Sequence, residues 1–216
     1  GGHIALVLSE QSGFESIHIW SVADNQLRRV TDGMFDAFEP TWSPDGDYLF
    51  YLSRRQFAPQ ISAVEWNFAG NRQNGIFALA LRKDVKDLFP PRSDEVTITK
   101  EDETPDEKKP ETEESDAESP DDDEQSGEDN EQEDEKQADA PKTTQIDFDG
   151  LAERITPVPV EPDNIGGLVA IDGHMIYSVR SASYYGRESD ERPELFIFSI
   201  EDRKASSLAD AIRGYA

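Results

Sequence analysis

Cysteine is absent from the 216 residues. This excludes disulfides and thiolate metal sites and leaves the redox compartment open. Basic residues are scarce: 21 Lys and Arg stand against 47 Asp and Glu, a formal net charge of −26. With no basic patch to neutralise phosphates, nucleic acid is excluded as a partner. Long hydrophobic runs are also missing, and none approaches the roughly 20 apolar residues of a membrane-spanning helix. The N-terminal Gly1-Gly2-His3-Ile4 has no basic stretch leading into an apolar one, so it does not read as a signal peptide. It starts without methionine and enters a β-prone run at once, as a piece of a longer protein would. Histidine occurs three times, at His3, His18 and His174. No two share ligand spacing on one element, which assigns them to structural or surface roles rather than to a metal. No serine sits in a Gly-x-Ser-x-Gly elbow and no Ser-His-Asp arrangement is legible. The expectation is a chain without catalytic residues, cofactor or metal of its own.

The charge is unevenly placed. Residues 94–142 carry 23 acidic and five basic side chains, a net of −18, so the rest of the chain carries only −8. From residue 101 to 142 the apolar residues are Ala117, Ala138 and Ala140, with no aromatic. Such a segment cannot bury enough surface to offset its ordering entropy, and the expectation is disorder. Asp121-Asp122-Asp123-Glu124 lacks the alternating ligands and fixed glycine of a calcium loop, so it reads as part of the solvated run.

What is present is β structure. Residues 4–8, 17–22 and 27–30 are short β-prone runs separated by turn residues at intervals of about ten, a pattern of sandwiches, barrels and propellers. Ser43-Pro44-Asp45-Gly46 has the chemistry of a tight turn. It joins a strand ending in Trp42 to Tyr48-Leu49-Phe50-Tyr51-Leu52, which is apolar at every position. A strand wetted on one side would alternate, so this one is expected to be covered on both faces. Ile19-Trp20-Ser21-Val22-Ala23-Asp24 resembles Ile197-Phe198-Ser199-Ile200-Glu201-Asp202, and Ile76-Phe77-Ala78-Leu79-Ala80-Leu81 offers a third copy. Leu49 to Arg54 recurs loosely as Met175 to Arg180, again after an Asp-Gly turn, Asp172-Gly173. A four-strand unit repeated about three times is a β-propeller fragment, whose blades sandwich one another. The fold class is therefore all-β, and a β-sandwich with chance similarity is the competing reading.

The expected organisation is a blade over 1–37, a second over 38–93 with an aromatic loop insertion at 56–74, the acidic insertion at 94–142, and a strand over 143–160 closing the interrupted blade. A third blade covers 161–210, and 211–216 would begin another. Trp20, Trp42, Tyr51 and Phe198 read as blade core. Tyr184, Tyr185 and Arg187 sit in a polar loop between two strands, where they would face a propeller rim and touch peptide.

Pro40-Thr41-Trp42-Ser43-Pro44-Asp45-Gly46 resembles the repeat of the TolB propeller and related peptidase propellers. A more specific resemblance is carried by Ser53-Arg54-Arg55-Gln56-Phe57-Ala58-Pro59, Ile76 to Asp84, Ile146-Asp147-Phe148-Asp149-Gly150-Leu151-Ala152-Glu153-Arg154, Val158-Pro159-Val160 and Asn164-Ile165-Gly166-Gly167-Leu168. These look like the second, seven-bladed propeller of bacterial tricorn protease homologues, and they cover most of the chain outside the acidic insertion. The resemblance implies a segment of a cytoplasmic serine peptidase that cleaves oligopeptides. It also implies partners: the remaining propeller blades, PDZ-like and catalytic domains of the same chain, and a homohexameric assembly. The catalytic residues would lie in those other domains, with the propeller filtering or channelling peptides. A non-enzymatic TolB-like binding scaffold, in the periplasm, is the alternative, and a prolyl-oligopeptidase-type propeller is a third reading.

Overall fold

The computed structural model describes residues 2–56, 60–61, 68–69, 72–90, 144–181 and 191–215. The acidic segment 94–142 and the Tyr184, Tyr185 and Arg187 loop lie outside the described residues, as do Phe57, Pro59 and Trp66. Among the described residues no helix is long and apolar enough to cross a membrane; the one helical element is a single 3-10 turn, Leu151–Glu153.

The all-β expectation holds. Strands β1 (His3–Ser9), β2 (Glu15–Ser21) and β3 (Gln26–Arg29) form one antiparallel sheet. A second sheet has the order β4-β5-β8-β9, from β4 (Ala37–Trp42), β5 (Tyr48–Ser53), β8 (Gly75–Ala80) and β9 (Ile155–Pro157). Between β5 and β8 a small pair forms from β6 (Gln60–Ile61) and β7 (Phe68–Ala69). The third sheet runs in chain order through β10 (Ile165–Ile171), β11 (His174–Val179), β12 (Glu194–Ser199) and β13 (Lys204–Ala209). The repeated Ile-x-Ser motif falls on β2 and β12, and its third copy on β8. Because β8 and β12 stand third in their sheets, the first sheet holds counterparts of strands two to four.

The turn before β5 forms as its residues dictate. The Gly46 N–H donates to the Ser43 carbonyl at 3.0 Å, with Gly46 at φ 77. The Ser43 hydroxyl accepts the Tyr48 N–H at 2.9 Å. Alternation along β5 then sends its side chains to two different cores. Leu49 and Tyr51 join Ile17, Ile19, Phe77 and Leu79 between the first and second sheets. Phe50 and Leu52 join Ile76, Met175, Tyr177 and Phe198 between the second and third. Leu49, Tyr51 and Leu52 are fully buried and Phe50 nearly so, each contributing about 1.5–3 kcal/mol of transfer free energy. The middle sheet is therefore sandwiched, as the unbroken apolar run required. Trp42 packs against the first core. Trp20, by contrast, faces the other way. It lies on the outer side of the first sheet, opposite Ile4 and Leu27, and is partly exposed.

Candidate functional site

The second and third sheets approach one another at their first strands, where β10 packs against β4 and β5. Both inner strands carry a bulge. Pairing shifts between Phe38 and Thr41 on β4, and between Gly166 and Val169 on β10. Each bulge places one residue in the left-handed region, Glu39 at φ 50 and Gly167 at φ 67. Glycine meets this at little cost, whereas Glu39 holds a conformation that side chains avoid. The Glu39 carboxylate accepts the N–H groups of Gly167 at 2.6 Å and Leu168 at 3.2 Å. One bulge is thus tied to the next across two sheets.

A cavity of about 460 Å³ opens beside this tie. Its walls include Glu39, Leu168, Ser178, Arg180, Arg213 and Tyr215. The Tyr215 hydroxyl donates to the Gly167 carbonyl. A side chain at Gly167 would run into that phenol, which a Cβ would meet at 2.5 Å. Burial pushes the Tyr215 phenol up and the Glu39 charge adds to this; the Ser178 hydrogen bond and the Arg180 charge oppose it. A second cavity of about 490 Å³ adjoins on the same rim and shares Arg180; Arg72, Asp163, Asn164 and Arg192 help line it. Ser181 and Glu191, the described residues on either side of the undescribed segment 182–190, also line it. The Ser181 hydroxyl donates to Glu191 Oε2 at 2.5 Å.

The whole chain, residues 1–216, matches the family model described as the tricorn protease second beta propeller domain. The chain belongs to that family. No curated protein matches it. Among solved structures, one described as the crystal structure of the tricorn protease superposes with a TM-score of 0.61 at 14% identity. The superposition covers 96% of this chain and 17% of that one. At this identity the likeness speaks for the fold, and it agrees with three radially repeated sheets.

Within the tricorn-type propeller, the described histidines do not gather. Among the described residues no group of three or more His, Asp or Glu comes together as a metal site. One constellation escaped sequence reasoning. Glu10, Ser16 and His18 meet on the outer side of the first sheet. The Ser16 hydroxyl donates to Glu10 Oε1 at 2.5 Å, and His18 Nδ1 lies 3.5 Å from the same hydroxyl. The residue types are those of a triad, but the wiring is not. The serine proton points at the carboxylate instead of the imidazole, and Ser16 is fully buried, so it offers no accessible nucleophile. That hydrogen bond leads the contributions that lower the Glu10 pKa. The cluster pins the β1–β2 turn. Its signal was available: Ser16 and His18 are two apart on one strand and share a face.

Proposed function

We propose that this chain is a non-catalytic propeller segment of a tricorn-like serine peptidase and conducts oligopeptides to catalytic domains elsewhere in the protein. The observation that carries the reading is the convergence of the second and third sheets on bulged inner strands, with a cavity of mixed polar and apolar lining beside them. Neighbouring inner strands in a propeller surround its axis, so a peptide entering along the axis passes these bulges. The rim loop with Tyr184, Tyr185 and Arg187 would touch it on the way. Family membership supports the parent peptidase, and with it a PDZ-like domain, catalytic domains and a homohexamer. A cytoplasmic location is part of the same reading and is checked by cell fractionation.

Oligopeptides bearing a photoreactive benzoyl-phenylalanine, incubated with the intact protein and irradiated, test the conduction. Cross-links are expected on residues 39–41, 167–169 and 212–215. Labelling confined to other domains would overturn the reading. The rim contribution is separately exposed: alanine at Tyr184 and Tyr185 should slow peptide turnover without lowering stability, and unchanged turnover removes those residues from it.

A further inference from the structure

The insertion between β8 and β9 leaves and returns through two legs that pack on different cores. Sheets arranged radially diverge outward, so the gap between neighbours is widest at their last strands. The second sheet has the least there to fill it: β9 has three residues, against four in β3 and six in β13. Residues 84–90 and 144–150, on either side of the undescribed segment 91–143, occupy the two gaps. On the outgoing leg, Leu88 and Phe89 pack against the core between the second and third sheets. On the returning leg, Ile146 and Phe148 pack against the core between the first and second. Each leg is also met by an arginine of the sheet beyond. Arg203, in the β12–β13 turn, lies over the Phe89 ring at 5.7 Å, and its Nη2 donates to the Pro90 carbonyl at 2.6 Å. Arg28, on β3, lies over the Phe148 ring at 4.5 Å. The Phe89 ring also meets the fully buried Phe198 edge-on, with centroids 6.1 Å apart.

The two legs are fastened differently. The returning leg is sewn to the second sheet. The Asp147 N–H donates to the Leu81 carbonyl at 2.9 Å, and the Lys83 N–H donates to Asp147 Oδ2 at 3.0 Å. The guanidinium of Arg154, which immediately precedes β9, donates to the carbonyls of Asp147, Asp149 and Ala80 and so ties that leg to β8. The outgoing leg has no such seam. Among the described residues, no backbone–backbone hydrogen bond holds 84–90 to a sheet. Between this leg and the β8–β9 edge lies a cavity of about 270 Å³, walled by Tyr48, Ala78, Lys86, Leu88 and Thr156. Its fixings run through side chains: besides the Phe89 and Arg203 contacts, the Tyr48 hydroxyl donates to the Lys86 carbonyl at 2.6 Å.

We propose that the legs form a clasp across three neighbouring blades, with 144–150 as its fixed post and 84–90 as a latch. Lifting the latch frees Phe89 from Phe198 and opens the outer seam between the second and third sheets. The seam guarded by Phe148 stays shut. The device is independent of the peptide-conducting reading, because both legs stand at the last strands of the sheets and not at β4 and β10.

Hydrogen exchange, read by mass spectrometry on the intact protein, tests the division of labour. Phe89→Ala should speed exchange in β12 about tenfold and leave β2 unchanged, whereas Phe148→Ala should do the reverse. Arg203→Ala changes only a turn residue and should act as Phe89→Ala does, even where a core substitution prevents folding. This chain has no cysteine, so a single thiol placed on each leg reports its movement. With each rate divided by that of the same variant unfolded in urea, Leu88→Cys should react with a maleimide about tenfold faster than Ile146→Cys. Exchange that rises equally in β2 and β12 in every variant, or in neither strand, would overturn the clasp. Equal thiol rates on the two legs would overturn the latch.

Discussion

Tyr51 is fully buried, and among the described residues its hydroxyl has no hydrogen-bond partner. Its ring stacks on Phe77 with centroids 5.8 Å apart, so the side chain is held by packing. Removing an unpaired buried hydroxyl relieves a desolvation cost. Tyr51→Phe is expected to leave thermal stability unchanged or raise it, by up to about 1 kcal/mol; a clear loss on calorimetry would show that the hydroxyl has a partner. Glu39 is the opposite case, a strained residue kept for what its carboxylate holds. In Glu39→Ala the Gly167 and Leu168 N–H groups lose their acceptor, worth about 1 kcal/mol. Hydrogen exchange at the Leu168 amide should then accelerate about fivefold, with Glu39→Gln restoring most of the protection. Tyrosine also sets the alkaline limit. Burial pushes Tyr48 and Tyr177 from 10.0 up to about 12, with nearby Asp charges adding to both. Below pH 10 both states hold the proton and nothing is lost. Between 10 and 12 the unfolded chain ionises while the folded one does not, so stability falls as pH rises. Melting temperatures should decline across that window, and less steeply once Tyr48 and Tyr177 are phenylalanine.

At the scale of elements, the β4–β5 hairpin shows how far sequence reasoning reaches. Ser43-Pro44-Asp45-Gly46 encodes its turn in four consecutive residues, and the absence of alternation from Tyr48 to Leu52 announces burial on both sides. Leu52→Ala should therefore cost about 2–5 kcal/mol, as for a fully buried leucine, measured by denaturant unfolding; a cost below 1 kcal/mol would mean that the second core is loosely packed. The bulges were not legible. Glu39 occupies a left-handed position that glycine would signal, and the bond that explains it comes from residues more than 120 positions away. Tyr215 against Gly167 is likewise non-local. Trp20 escaped for a different reason. Alternation reveals that a strand has two faces, but not which of them meets a neighbour within this chain. Tyr184, Tyr185 and Arg187 lie outside the described residues, so the candidate site rests on the cavity lining that geometry adds: Glu39, Arg180 and Arg213.

Among the described residues, the three sheets form a stack with two apolar ends. On the first sheet Ile4, Leu6 and Leu8 are 45%, 38% and 38% exposed. On the third, Val169 and Ile171 are 36% and 39% exposed. Contiguous apolar surface of this kind marks an interaction site, and a propeller supplies its occupant as a further blade. Expressed alone, the chain is expected to associate through these faces, which light scattering would detect; a sharp, monomeric thermal transition would contradict this. The most direct test is an electron cryomicroscopy structure of the intact protein. The account predicts a closed propeller in which the Ile4–Leu8 and Val169–Ile171 faces are each covered by another four-stranded sheet of the same chain, with β4 and β10 lining the axial opening. An open stack with those faces in solvent, or faces covered by a second copy of the chain, would contradict it.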